Sequence, residues 1–223
     1  MHAHRLFHGL GLELLARART ADPDFDELCI DARELRPGSL FIARRAYFGN
    51  THERLGEAVA RGAAGLVVSE PEHVPSDCAV PVWLAPDDDP TLAALSSRFY
   101  GEPCAELAVF AVTGTNGKTS TAFLLEHLLR ALGRRVALLG TVAYRLGEVE
   151  IPACNTTPDA LYVQRFARKA REAGADTLVL EASSHALAIG RLEGLLPDCV
   201  GFGNLSHEHL DFHGDLEAYF AVS

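Results

Sequence analysis

The chain has 223 residues, 48% of them hydrophobic and 22% charged, and a formal net charge of −10 at pH 7. That length allows one or two domains with a substantial core, and the balance is ordinary for a soluble globular chain. The acidity argues against a nucleic-acid partner, because phosphate contacts need clustered Lys and Arg.

The N-terminal stretch MHAHRLFHGLGLELLARAR is interrupted by Arg5, Glu13 and Arg17, which breaks any signal-peptide core. Leu6, Leu10, Leu14 and Leu15 fall on one helical face, so a helix is expected there. A strand follows at SLFIA (39–43), then a helix at HERLGEAVARG (52–62) and strands at AGLVVS (64–69) and VPVWLA (80–85). PDDDP (86–90) is a turn whose carboxylates start the helix TLAALSSRFYG, which ends at Gly101. This predicts a small N-terminal α/β domain over 1–86 and a linking helix and connector over 87–106.

From Leu107 the pattern changes to apolar strands alternating with helices. LAVFAVT, RVALLGT, TLVLE and CVGFGNL read as buried strands, with helices after Lys118 and after Pro158. That alternation predicts a parallel sheet covered by helices over 107–223. YRLGEVEIPA (144–153) interrupts it as a hairpin turning at Gly147. No run approaches the ~18 apolar residues of a membrane span. The five cysteines, Cys29, Cys78, Cys104, Cys154 and Cys199, are odd in number and include no C-x-x-C pair. Reduced thiols in a cytoplasmic protein are therefore expected.

Three strand ends carry chemistry. LAVFAVTG is a strand, GTNG a tight turn and KTSTAFLLEHLLRAL a helix with an apolar face. Such a junction presents backbone N–H groups and the positive end of a helix dipole to an anion. Lys118 can reach the outer phosphates of a nucleotide, and Thr119 can offer its hydroxyl to Mg²⁺. Only the short form G-x-x-G-K-T is present, because Val112 stands where a longer phosphate loop has glycine. TLVLEASSHAL delivers Glu181 at the end of a buried strand, a costly place for a carboxylate that is neither paired nor metal-bound. CVGFGNLSHEHLDFHGD delivers His207, Glu208, His209, Asp211 and His213 in the same way. Parallel sheets bind ligands beyond the carboxyl ends of their strands, so the three ends predict one crevice.

The run H-x-H-x-D-x-H is similar to the zinc-ligand run of metallo-β-lactamase-type hydrolases. Phe212 separates its last two ligands, however, and that fold has no phosphate loop.

Taken together, VTGTNGKTS, NTTPDAL, EASSHALAIGR and NLSHEHLDFHGDLEAYF resemble the Mur ligase family, most closely its MurE type. IDARELRPGSLFIA (30–43) is similar to a stretch of that family's UDP-binding first domain. The resemblance implies an α/β fold, with a small UDP-binding domain followed by part of a P-loop central domain. It implies ATP and Mg²⁺ as cofactors, and a UDP-N-acetylmuramoyl-dipeptide and an amino acid as substrates. Gly114, Thr115, Asn116, Gly117, Lys118, Thr119 and Ser120 would hold the ATP phosphates. Thr119, Glu181 and His209 would hold Mg²⁺, with Lys118, Glu181 and His209 as the catalytic set. Asn155, Thr156, Thr157, Ser183 and Arg191 would hold the muramoyl-peptide, and Ile30, Tyr47 and Phe48 the UDP part.

The departures carry implications too. Ala32 replaces a serine, Ile189 stands for a glutamine, and His207–Glu208 replaces Arg-Asp. Ser223 aligns with a lysine whose carbamate helps hold a second Mg²⁺. The sequence stops before the region expected to grip adenine and before the domain that admits the amino acid. A sheet cut there implies self-association or a completing protein partner. The same motifs fit two functions: an ATP-dependent ligase acting through an acyl phosphate, and a catalytically silent homologue that binds nucleotide or UDP-muramoyl-peptide.

Overall fold

The computed structural model describes residues 1–16, 22–46, 49–153, 155–206, 217 and 220–221. The chain divides into two compact units, Met1–Thr91 and Leu92–Ser223.

The first unit opens with a short helix, α1 (Ala3–Phe7), and a strand, β1 (Glu13–Ala16). The single N-terminal helix expected from the leucine spacing therefore ends early. Glu13 pairs with Leu84 and Leu14 with Trp83, so ladder bonds override a helical periodicity carried by only four leucines. β2 (Glu27–Cys29), β3 (Ser39–Ile42), the two-residue strands β4 (Arg45–Ala46) and β5 (Gly49–Asn50), α2 (Leu55–Ala60), β6 (Gly65–Val68) and β7 (Val82–Leu84) follow. The main sheet runs β1-β7-β6-β3-β2. Its strands are parallel except for β1, which runs antiparallel to β7. β3 and β6 are buried at every position, as continuous apolar runs in a sheet covered on both faces should be. β2 escapes a pattern reading because DELCI sets two carboxylates before an apolar run of only three residues.

α3 (Asp89–Tyr100) spans the boundary between the units, and Asp88 Oδ1 accepts the Thr91 amide at 2.7 Å near its start. The second unit then contains β8 (Ala108–Thr113), α4 (Lys118–Ala131), β9 (Val136–Leu139), β10 (Ala143–Leu146), β11 (Val149–Pro152), α5 (Ala160–Glu172), β12 (Thr177–Glu181), α6 (Ser184–Ala188) and β13 (Cys199–Phe202). Its sheet runs β11-β10-β9-β12-β8-β13, with β9, β12, β8 and β13 parallel. The expected hairpin is β10–β11, whose antiparallel pairing makes the sheet mixed.

Alternation along the strands sends side chains to two cores. Val109, Ala111, Leu178 and Leu180 pack with Val163, Phe166 and Ala170 of α5. Val112, Leu138 and Val179 pack with Ala122 of α4 and with Phe110 and Phe123. Helices on opposite faces of a mostly parallel sheet make a three-layer α/β unit. β13 was expected to be buried, yet Cys199–Phe202 are all exposed. Its place at the end of the sheet explains this: among the described residues only β8 pairs with it.

The order of strands also locates a crevice. From β8 the chain crosses to β9 on one side, and from β12 it returns past β8 to β13 on the other. The direction of winding thus reverses beside β8, the place where open α/β sheets bind ligands.

Candidate functional site

The loop leaving β8 is shaped by its contacts with the chain after β13. Gly114 has φ 123°, and a Cβ built there would lie 2.9 Å from both N and O of Asn204. Only glycine permits that backbone approach. The Thr115 amide donates to Asn204 O at 2.8 Å, and the Asn116 amide donates to Asn204 Oδ1 at 3.0 Å. Asn204 Nδ2 returns a bond to Asn116 O at 2.8 Å, and the Ser206 amide donates to Thr115 Oγ1 at 2.9 Å. The amides of Thr115 and Asn116 are thus committed within the fold. Gly117, at φ 85°, leads into α4, where the Thr121 amide donates to Gly117 O at 2.9 Å. The amides of Lys118, Thr119 and Ser120 lie in the first turn of α4 and have no intrahelical acceptor, so they are the donors available to an anion. Lys118 Nζ folds back onto Gly114 O at 2.7 Å and Thr115 O at 2.9 Å.

Glu181 ends β12 beside this loop and is 1% exposed. Its Oε2 accepts the Thr119 hydroxyl and the Thr141 hydroxyl, each at 2.9 Å. Its Oε1 accepts the Thr141 amide, also at 2.9 Å. Register produces this meeting: Glu181 lies opposite Val112 on β8, and Leu180 lies opposite Leu139 on β9. The carboxylate and the hydroxyls form an oxygen donor set, the type that suits Mg²⁺.

The segment 155–157 sits on the same strand ends. The Tyr144 hydroxyl, on a side chain 1% exposed, donates to Asn155 O at 2.7 Å. The Thr157 hydroxyl is buried and donates to Glu181 O at 2.7 Å, and it accepts the Ser183 amide at 2.9 Å. Ser183 Oγ caps α6 by accepting the Ala186 amide at 3.3 Å. Arg191 Nη1 donates to Thr157 O at 3.2 Å, while its buried Nε has no partner among the described residues. Thr157 and Ser183 thus brace the segment, whereas the Asn155 side chain is exposed.

In the first unit, Ile30 is half-buried and directly follows β2. Asp31 Oδ1 then caps a single 3₁₀ turn by accepting the Arg33 amide at 2.9 Å. Ala32 is fully buried in the core, so a serine hydroxyl there would face apolar neighbours. The β4–β5 hairpin is fastened at its base. Arg45 Nη2 donates to Glu70 Oε1 at 2.6 Å, and Asn50 Nδ2 donates to Glu70 Oε2 at 2.8 Å. Asn50 and Arg45 together hold the Glu70 carboxyl below the usual carboxylate range. Tyr47, Phe48, His209 and Ser223 lie outside the described residues.

The structure therefore brings together Lys118, Thr119, Glu181, Thr156, Thr157, Ser183 and Arg191 in the second unit. Two residues of this neighbourhood escaped the sequence analysis, Thr141 and Asn204. Thr141 lies two residues past β9 and Asn204 two residues past β13, inside the stretches RVALLGT and CVGFGNL that were read as strands, so position near a strand end was the signal available.

The description "Mur ligase middle domain" matches residues 112–223. The UDP-N-acetylmuramoyl-L-alanyl-D-glutamate–2,6-diaminopimelate ligase of Geobacillus thermodenitrificans is 39% identical over 201 residues, covering 90% of this chain and 40% of that one. The same-named ligase of Lactiplantibacillus plantarum is 36% identical over 219 residues, covering 98% of this chain and 44% of that one. A solved structure of a ligase of that name superposes with a TM-score of 0.70 at 31% identity, over 89% of this chain and 40% of that one. A MurF ligase of Thermotoga maritima in complex with ADP shares the fold, with a TM-score of 0.62 at 24% identity over 88% of this chain and 41% of that one. The chain thus spans about 40% of the length of these relatives. Half of its residues match one family domain, and the loop after β8 and strands β9 to β13 fall inside that match, so the chain belongs to the Mur ligase family.

Proposed function

We propose that this chain carries the ATP-phosphate and UDP-muramoyl-peptide sites of an ATP-dependent ligase of peptidoglycan precursor synthesis. The ligase joins an amino acid to UDP-N-acetylmuramoyl-L-alanyl-D-glutamate. The observation that carries this is the convergence of Lys118, Thr119 and Glu181 with the 155–157 segment on adjacent strand ends. A phosphate donor and a carboxylate acceptor held on those two surfaces would meet across the end of β12.

In the proposed reaction the substrate carboxylate attacks the γ-phosphorus of ATP, giving an acyl phosphate and ADP. The amine of the amino acid then attacks the acyl carbon, and phosphate leaves as the amide forms. Lys118 would leave Gly114 O and Thr115 O to meet the outer phosphates, while the amides of 118–120 hold them. Glu181 and Thr119, with His209, would hold Mg²⁺, which supplies charge neutralisation on the transferring group. Asn155, Thr156 and Arg191 would orient the muramoyl-peptide, and Ile30, Tyr47 and Phe48 its UDP portion. No side-chain nucleophile is required, because such a transfer is mostly positioning and electrostatics. No helix among the described residues is long and apolar enough to cross a membrane.

The first half-reaction tests this. With ATP, Mg²⁺ and UDP-muramoyl-dipeptide, hydroxylamine should trap the acyl phosphate as a hydroxamate while ADP is released. Hydroxamate that depends on all three components supports the ligase. Tight binding of ATP and dipeptide with no hydroxamate would contradict it and favour the silent homologue.

A further inference from the structure

We infer that Thr141 is a positioning residue that sets the Glu181 carboxylate for metal and ties it to the substrate segment through Thr156. The inference rests on the ligase assignment above. Thr141 is the residue that bonds both oxygens of Glu181: its amide donates to Oε1 and its hydroxyl to Oε2, each at 2.9 Å. A carboxylate gripped at both oxygens cannot rotate, so its remaining lone pairs keep one direction. Such fixing of a ligand by a neighbouring donor is the usual means of tuning a metal site.

The Thr141 hydroxyl also lies 3.1 Å from Thr156 Oγ1, which it can donate to instead. It has a single proton and therefore serves one acceptor at a time. When a cation draws on Oε2, the Thr141 proton is free to turn toward Thr156. Thr156 lies between Asn155, anchored by Tyr144, and Thr157, anchored to the strand end. Charge at Glu181 is thereby read out at the substrate segment, and by linkage occupancy there alters metal affinity in the same proportion. Gly140 shows how closely the loop after β9 is fitted to the carboxylate, since a Cβ there would lie 2.4 Å from Oε1.

The test uses the 223-residue chain, Mn²⁺ and a non-hydrolysable ATP analogue, with affinity measured in the presence of Mn²⁺ and in EDTA. Thr141→Val keeps the shape and the amide and removes the hydroxyl. It should weaken Mn²⁺-dependent affinity about tenfold, the effect of losing a hydrogen bond to a charged group, and leave affinity in EDTA within about twofold. Thr141→Ser, which keeps the hydroxyl, should restore wild-type behaviour. Thr141→Val affinities equal to wild type, or lowered equally with and without metal, would overturn the inference. So would a loss in Thr141→Ser as large as in Thr141→Val. If wild type itself fails to bind the Mn²⁺–nucleotide pair, the ligase assignment fails rather than the role of Thr141.

Discussion

Gly140 lies so close to Glu181 that a Cβ built on it would stand 2.4 Å from Glu181 Oε1. The carboxylate is buried, and its neighbours Thr119 and Thr141 are already bonded to it. Gly140→Ala should therefore displace Glu181 rather than be absorbed. Overpacking of this kind costs about 1–3 kcal/mol, and thermal melts should show the loss. Metal-dependent nucleotide binding should fall with it. A variant as stable as wild type, with unchanged binding, would show that the β9 loop gives way instead.

Asn204 braces the loop after β8 through one backbone bond, to the Thr115 amide, and two side-chain bonds, both to the Asn116 backbone. Asn204→Ala removes both side-chain bonds to the Asn116 backbone but leaves the backbone oxygen that accepts the Thr115 amide. Hydrogen exchange should therefore accelerate at Asn116 and stay slow at Thr115. Nucleotide affinity should drop severalfold, because a net hydrogen bond is worth about 1 kcal/mol. Equal acceleration at both amides would mean that the whole loop depends on the side chain.

The N-terminal unit should weaken in acid through His52. The Ser69 amide donates to His52 Nε2 at 3.0 Å, so the ring proton sits on Nδ1, facing Asn50 Oδ1 at 2.7 Å. Burial holds the imidazole below the usual histidine range, against the opposing pull of Glu70 and Asp87. The unfolded chain binds a proton near pH 6.5 and the folded ring resists it. The contribution to stability is thus present above that pH and is lost as pH falls below it. Trp83, the sole tryptophan, lies buried in this unit and reports its unfolding. Urea melts followed by its fluorescence should shift to lower midpoints between pH 7 and 5, and His52→Gln should flatten that slope.

Thiol chemistry should separate two cysteines. Cys104 is buried, and burial pushes its thiol up to about 12. Its Sγ also donates to Gln164 Oε1 at 3.7 Å. Cys199 is exposed on the edge strand β13. Iodoacetamide at pH 8 should alkylate Cys199 and spare Cys104 in the folded chain, since the thiolate is the nucleophile. Peptide mass spectrometry reads the result. Labelling of Cys104 at a comparable rate would mean that the core around α5 opens readily.

These residues also show what a sequence discloses. The loop after β8 was legible as a phosphate-binding candidate because its chemistry is local: glycines, Lys118 and Thr119 fall within six positions. Glu181 was legible because a carboxylate closing an apolar strand is costly. Thr141 was not, because its role comes from the register of β9 beside β12, a pairing 40 residues apart in the chain. Asn204 likewise acts 88 residues away, through the parallel pairing of β13 with β8. The leucines at 14 and 15 suggested a helix, but both lie in β1, where Leu14 pairs with Trp83 and the register shifts across Leu15. β13 looked buried because its apolar residues resemble those of the inner strands, and sheet position is not written in composition.

The central claim, that the loop after β8 is a nucleotide-phosphate site, is tested most directly by calorimetric titration of ATP·Mg²⁺ into wild type and Lys118→Ala. Among the described residues the Lys118 ammonium is bonded only to loop carbonyls, so its removal should spare the fold. Wild type should show saturable binding, and Lys118→Ala should bind at least tenfold more weakly, since each tenfold is about 1.4 kcal/mol. Equal affinities in a folded variant would contradict the account and place the phosphates elsewhere.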